Sequence, residues 1–222
     1  MKKQKKILNA FGIGITFVLL FWGSVFSKKE EFPYAEKIIN AENLMKEENL
    51  EEALEALNEI EKEFGKTDRV HKNRALIYLY EKNFKKAIAQ AERLSDKTSK
   101  EYFSLKAYIY EYMGEAGKEY LFDTYIEAAD AWPDWTYMQK YAGVAQMERY
   151  NYGAAEAYLH QAYRQGGDDP ILLFEIGALK FYQGDYEASV HFFQEAVDHE
   201  LPIEMYEHVA YFLYQIKGDE TE

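Results

Sequence analysis

PILLFEIGALKFYQGDYEASVHFFQEA, residues 170–196, is the stretch that decides the fold. Large residues at Leu173 and Phe174 lead to Ile176–Gly177. Twelve positions later comes a second small residue, Ser189, followed by Phe193 and Ala196. Gln183–Gly184–Asp185 interrupts the pattern, and Tyr186 restarts it. Apolar residues at three- and four-residue spacing on both sides of a short polar break predict two helices joined by a tight turn. A small residue on each helix lets the two backbones approach where the helices cross.

The same marks recur along the chain. Small residues stand at Ala41, Ala75, Ala107, Gly143 and Gly177, in steps of 34, 32, 36 and 34 residues. Ala53, Ala87, Ala155 and Ser189 follow four of them by twelve positions, and Ala162 and Ala196 add a third mark. Helix formers dominate from Pro33 onward, and strand-like alternation never persists. Short breaks fall at Glu48–Asn49, Gly65–Asp68, Lys82–Asn83, Ser95–Ser99, Gly114–Gly117, Trp132–Trp135, Gly166–Pro170, Gln183–Asp185 and Leu201–Pro202. Thr67, Ser99 and Asp169 have the chemistry to cap the helices that follow. Pro33 and Pro170 suit a first helical turn.

On these marks the chain resembles the tetratricopeptide repeat (TPR) proteins, whose unit is a helix–turn–helix of about 34 residues. The copy from Leu173 to Ala196 departs at Lys180, where the family pattern has an aromatic; Phe181 is next to it. The copy before it keeps Ala142–Gly143, Tyr152, Ala155, Leu159 and Ala162, with Gln146 in place of the aromatic. Two earlier copies keep Ala75, Tyr78, Phe84, Ala87, Ala91 and Leu94, and Ala41, Leu44, Leu50, Ala53, Leu57 and Ile60. In the middle copy Ala107 and Tyr110 fit, but Gly114–Glu115–Ala116–Gly117 opens a longer turn and puts Leu121, Tyr125 and Ala128 out of phase. The resemblance implies an all-α fold: a right-handed superhelical solenoid of TPR-type helical hairpins with a C-terminal capping helix. Residues 203–217, with Ile203, Tyr206, Val209, Ala210, Leu213 and Ile216, are expected to be that cap.

The family's register also implies which residues line the inner, concave face: Tyr80, Ser104, Tyr108, Tyr112, Tyr137, Lys140, Phe174, Phe181 and Tyr182. Each has a competing reading as core, because 20 Tyr and 14 Phe must be largely buried somewhere. Only Lys140 and Lys72 are basic near these positions, so a clamp for a C-terminal carboxylate is not expected. Tyrosines on such a face suit a peptide or helix ligand.

The first 29 residues are different in kind. Lys2, Lys3, Lys5 and Lys6 precede an uncharged apolar run over residues 7–26, long enough at 1.5 Å per residue to span about 30 Å of hydrocarbon. The basic flank is N-terminal, which puts that end in the cytoplasm and residues 30–222 outside. Residues 1–29 therefore read as a basic segment and single-pass anchor, and residues 30–222 as the repeat domain. The alternative is a signal peptide, cut after Val25 and Ser27 have occupied the two recognised positions, which would release the domain.

Charge narrows the partners. Residues 30–222 carry 39 acids against 20 Lys and Arg, a net of −19, which repels DNA, RNA and anionic lipid. The first hairpin is especially acidic: Glu42, Glu47, Glu48, Glu51, Glu52, Glu55, Glu59, Glu61 and Glu63. With no cysteine, disulfides, thiolate metal sites and a cysteine nucleophile are excluded. Glu187, His191, Glu195 and His199 share one helix face without the order of a zinc motif, and read as a solvated face. Trp132–Pro133–Asp134–Trp135 is read either as packing plugs at a turn or as a surface contact. No catalytic, cofactor-binding or metal constellation is expected. The functional expectation is a membrane-anchored extracytoplasmic scaffold for an unidentified protein or peptide. A chaperone-like helper for exported unfolded chains, a self-associating structural protein and an enzyme are the alternatives.

Overall fold

A computed structural model describes residues 32–219. The segment read as a membrane anchor or signal peptide, residues 7–26, lies outside the described residues. Among the described residues there is no strand, and no helix is long and apolar enough to cross a membrane.

The chain folds into successive helical hairpins: α1 (Phe32–Lys46) with α2 (Leu50–Phe64), α3 (Asp68–Tyr80) with α4 (Phe84–Ala91), α5 (Lys100–Tyr112) with α6 (Lys118–Ala131), α7 (Thr136–Glu148) with α8 (Tyr152–Gly166), and α9 (Pro170–Tyr182) with α10 (Tyr186–Asp198). A short 3₁₀ turn at Ile203–Met205 leads into α11 (Tyr206–Asp219). Each helix packs chiefly on its hairpin partner and on the next hairpin, giving an all-α, TPR-like solenoid.

Turn chemistry explains the regularity. Seven positions after each small residue the backbone enters the left-handed region: Glu48 (φ 62°), Lys82 (φ 57°), Gly114 (φ 60°), Tyr150 (φ 59°) and Gly184 (φ 81°). In four hairpins the next amide reaches back five residues: Asn49 to the Leu44 carbonyl, Asn83 to Tyr78, Asn151 to Gln146 and Asp185 to Lys180, at 2.7–2.9 Å. This is the helix-ending arrangement that satisfies an orphan carbonyl, and it turns the chain straight into the second helix. Asn83 and Asp185 also cap α4 and α10, accepting from the Lys86 and Ala188 amides. Thr67, Ser99 and Asp169 cap α3, α5 and α9 as their residue types suggest, and Pro170 opens α9.

The middle hairpin departs from this rule. Gly114–Gly117 forms a 3₁₀ turn, and a Cβ at Gly117 would lie 2.1 Å from the Tyr110 carbonyl oxygen. The extra turn restores the phase, so Tyr125 and Ala128 of α6 are buried after all.

The small residues sit where the hairpins close. Ala41, Ala53, Ala75, Ala87, Ala155, Ala162, Ser189 and Ala196 are fully buried, and Ala107 is 8% exposed. Gly143 and Gly177 have no room for a side chain: a Cβ would meet Leu159 at 2.5 Å in the first case and Phe193 at 2.7 Å in the second. Ser189 Oγ donates to the Gly177 carbonyl at 2.9 Å, tying α10 to α9 at the crossing.

Polar pairs pin neighbouring hairpins. Arg69 forks onto Glu42 at 3.0 and 3.1 Å, Arg74 meets Glu61 at 2.5 Å, and Lys180 meets Glu156 at 2.7 Å. The Arg74 guanidinium holds Glu61, and Lys180 holds Glu156, below the usual carboxylate range. Part of the acidic first hairpin is thus used internally, while Glu47, Glu48, Glu51, Glu52, Glu55 and Glu59 face solvent. His71 is buried and bonds Gln90 at 2.9 Å.

At the tryptophan corner Trp132 Nε1 donates to the Thr98 carbonyl at 2.6 Å, and the Lys100 ammonium lies 4.9 and 5.5 Å from the Trp132 and Trp135 ring centres. Both indoles are half-buried, which favours the packing reading.

The terminal helix covers the last hairpin in a register different from the expected one. Met205, Val209, Phe212 and Ile216 are buried, whereas Ile203 is 78% exposed and Tyr206 and Ala210 also face out. The 3₁₀ turn before α11 rotates the helix, and Phe212 becomes its anchor. It stacks on Phe193 at 5.2 Å and meets the Phe181 ring edge-on at 4.9 Å.

Candidate interaction face

The first helix of each hairpin carries its small residue toward its partner helix. Tyr80, Tyr112 and Tyr182 each stand five positions after that small residue and are the last residues of α3, α5 and α9. On α3, Tyr80 projects at 70% exposure. On α5, Tyr112 is 58% exposed, and its hydroxyl accepts from Tyr108 at 3.2 Å with the rings 4.8 Å apart. Ser104, half-buried, turns its hydroxyl back onto the Lys100 carbonyl at 2.7 Å. On α9, Tyr182 is 40% exposed and stacks on Tyr152 at 5.8 Å, with half-buried Phe181 wedged beside it.

Two residues placed on this face by the sequence are not open to a ligand. Phe174 is 3% exposed, because the capping helix brings Phe212, and α10 brings Phe193, against its ring at 6.2 and 5.5 Å. Lys140 is 7% exposed and committed to Asp169 at 2.7 Å, the carboxylate that also caps α9. One aspartate thereby fixes both a helix start and the contact between two hairpins.

Between α5 and α7 lies a pocket lined by Ser104, Ala107, Tyr108, Glu111, Tyr125, Tyr137 and Met138. The rings of Tyr137 and Tyr125 lie 4.5 and 5.1 Å from that of Tyr141. Burial pushes the pKa of all three phenols well up, so they act as neutral hydroxyls. Glu111 stands among them, and desolvation raises its carboxyl too.

Sequence reasoning missed Glu111, Tyr125, Tyr141 and Glu175. Tyr141 and Glu175 each follow by one position a residue that was named, Lys140 and Phe174. They stand two before Gly143 and Gly177, so carrying the register one residue further would have found them. Tyr125 is on a second helix whose phase the long turn obscures.

Among the described residues no group of three or more His, Asp or Glu is arranged to hold a metal; His191 meets only Glu195, at 3.6 Å.

No family model matches the sequence, and no curated protein is similar to it. Solved structures do match in fold. A crystal structure of MamA superposes with a TM-score of 0.60 at 14% identity, over 75% of this chain and 91% of its own. YrrB, described as a TPR protein with an unusual peptide-binding site, gives 0.59 at 13% identity over 82% and 92%. PilF of Pseudomonas aeruginosa gives 0.55 at 15% identity over 75% and 76%. At these identities the likeness is one of architecture, and it defines the chain as a TPR-like helical repeat protein.

Proposed function

We propose that this chain is a membrane-anchored adaptor whose repeat array stands outside the cytoplasm and holds a protein partner on its first-helix face. The observation that carries the reading is the set of exposed tyrosines that end the first helices, Tyr80, Tyr112 and Tyr182, together with the pocket around Glu111. Rigid rings with a polar tip give contact area at little cost in side-chain entropy. The fold supports the same reading, since stacked hairpins offer an extended surface with no need of a deep pocket. The anchor rests on the basic start and the apolar run at residues 7–26, which leave few residues before the first hairpin and hold the array close to the bilayer.

The test is crosslinking of the full-length protein in its native membrane, with protease added from outside. The adaptor reading expects one saturable partner and cleavage of the repeat domain by the external protease. A broad spectrum of captured unfolded chains would replace it with the chaperone-like reading. A repeat domain protected from external protease would overturn the placement.

A further inference from the structure

The pocket between α5 and α7 holds an acid with nothing to neutralise it. Glu111 has no hydrogen bond or ion pair among the described residues. Cations on α6 and α7 pair with other acids: Lys140 with Asp169 at 2.7 Å, Lys118 with Glu148 at 2.8 Å, and Arg149, just past α7, with Glu119 and Asp123 at 2.9 and 2.7 Å.

A second buried acid, Glu175, stands on α9 at 6% exposure, outside the lining of this pocket. It makes no hydrogen bond among the described residues, but the buried Lys140 ammonium acts on it and offsets part of its charge, so the chain itself supplies its cation. The buried Lys140 ammonium already lies 5.4 Å from the Tyr141 ring centre and takes that ring, which leaves Tyr108 and Tyr137 as the rings beside Glu111 in the pocket. Removing a carboxylate from water without a partner is costly, and a cation brought alongside removes that cost. Tyrosine faces add their own attraction for a cation.

We propose that this surface is a seat for a cationic side chain, lysine or arginine, on an extended segment of the protein partner. The ammonium or guanidinium rests beside Glu111 against the Tyr108 and Tyr137 rings that line the pocket with it. The net charge of −19 on residues 30–222 draws such a segment in from a distance. The inference depends on the first-helix face being the partner site, and it specifies the chemistry that the face selects.

The test uses the full chain in detergent micelles and two fluorescent decapeptides of glycine and serine, acetylated and amidated. One carries two lysines and the other two norleucines in the same places. At pH 8 and about 50 mM salt, where a surface charge is felt over roughly 10–15 Å, the lysine peptide is expected to bind saturably and the norleucine peptide at least about tenfold more weakly. Glu111→Gln is expected to bring the lysine peptide down to the norleucine level. Glu55→Gln removes the same charge from a distant solvent-facing position and is expected to change nothing. Equal loss from both variants would reduce the effect to unspecific attraction and overturn the proposal, as would no binding of the lysine peptide up to about 1 mM. If both peptides bind alike and Tyr112→Ala or Tyr182→Ala weakens both, the face survives as the partner site and the cation seat falls. If no variant on the face changes binding, both readings fall.

Discussion

Replacing Gly177 with leucine puts a side chain where α9 and α10 touch. An ideal Cβ there lies 2.7 and 2.8 Å from Phe193 Cδ1 and Cε1. That ring has nowhere to go. Phe193 is 1% exposed and held between Phe174 at 5.5 Å and Phe212 at 5.2 Å, while Ser189 ties the helices together at the same level. The helices must therefore separate, and overpacking of this kind costs about 1–3 kcal/mol, more for leucine than for alanine. Alanine regains about 1 kcal/mol of helix propensity, so Gly177→Ala is expected to cost about 1 kcal/mol net and Gly177→Leu about 3 kcal/mol. At about 2–4 °C per kcal/mol for a domain of this size, the leucine variant should melt roughly 6–12 °C lower. Gly153 in α8 has nothing within 4 Å of its Cβ, so Gly153→Ala should be neutral or stabilising by up to about 0.5 kcal/mol. Thermal melts followed by circular dichroism compare the three. A Gly177→Leu variant melting with the wild type, or a Gly153→Ala variant falling as far, would refute the crossing geometry.

Other perturbations test other parts of the account. Lys82 is exposed in the left-handed region at φ 57°, so Lys82→Gly should stabilise by about 0.5–1 kcal/mol, read by urea denaturation. Burial raises the Glu175 carboxyl from 4.5 to about 7 in the folded chain, so the folded state holds its proton longer than the unfolded one. The stability tied to that proton is whole below pH 4.5 and is lost as pH rises through 7, an effect of order 3 kcal/mol. Glu175→Gln should therefore gain on the wild type between pH 5 and pH 8; a constant difference across that range would contradict the burial. Phe212→Ala should strip the capping contact at a cost of about 3–5 kcal/mol and raise hydrogen exchange in α9 and α10 ahead of α1 and α2. Uniform acceleration along the chain would argue against a local cap.

The hairpin order was legible because small residues and short polar breaks keep the same beat, and both have local causes. Most helix ends were legible too, as at Glu48–Asn49 and Lys82–Asn83, but the turn between α7 and α8 at Arg149–Asn151 was not, nor was the backbone conformation of the turns. Glu48, Lys82 and Tyr150 take the same left-handed position as Gly114 and Gly184, and nothing in a glutamate, lysine or tyrosine announces it. The cap register escaped the apolar spacing because a 3₁₀ turn at Ile203–Met205 rotates α11 and exposes Ile203. On the candidate face, Tyr80, Tyr112 and Tyr182 were visible as aromatics in register. The burial of Phe174 and Lys140 depends on contacts from α10, α11 and Asp169, which no local pattern contains. Glu111 and Glu175 carry no local mark of their setting, which residues of other helices create.

The central claim is that partners are held on the first-helix face and not elsewhere on the stack. A photocrosslinking amino acid placed singly at Tyr112, Tyr182 or Val190 in the full-length protein, irradiated in its native membrane, tests it most directly. All three positions are exposed, and Val190 lies on a second helix, α10. The account predicts one discrete adduct shared by the Tyr112 and Tyr182 probes and absent from the Val190 probe. An adduct from Val190 alone would place the partner on the second-helix side and contradict it.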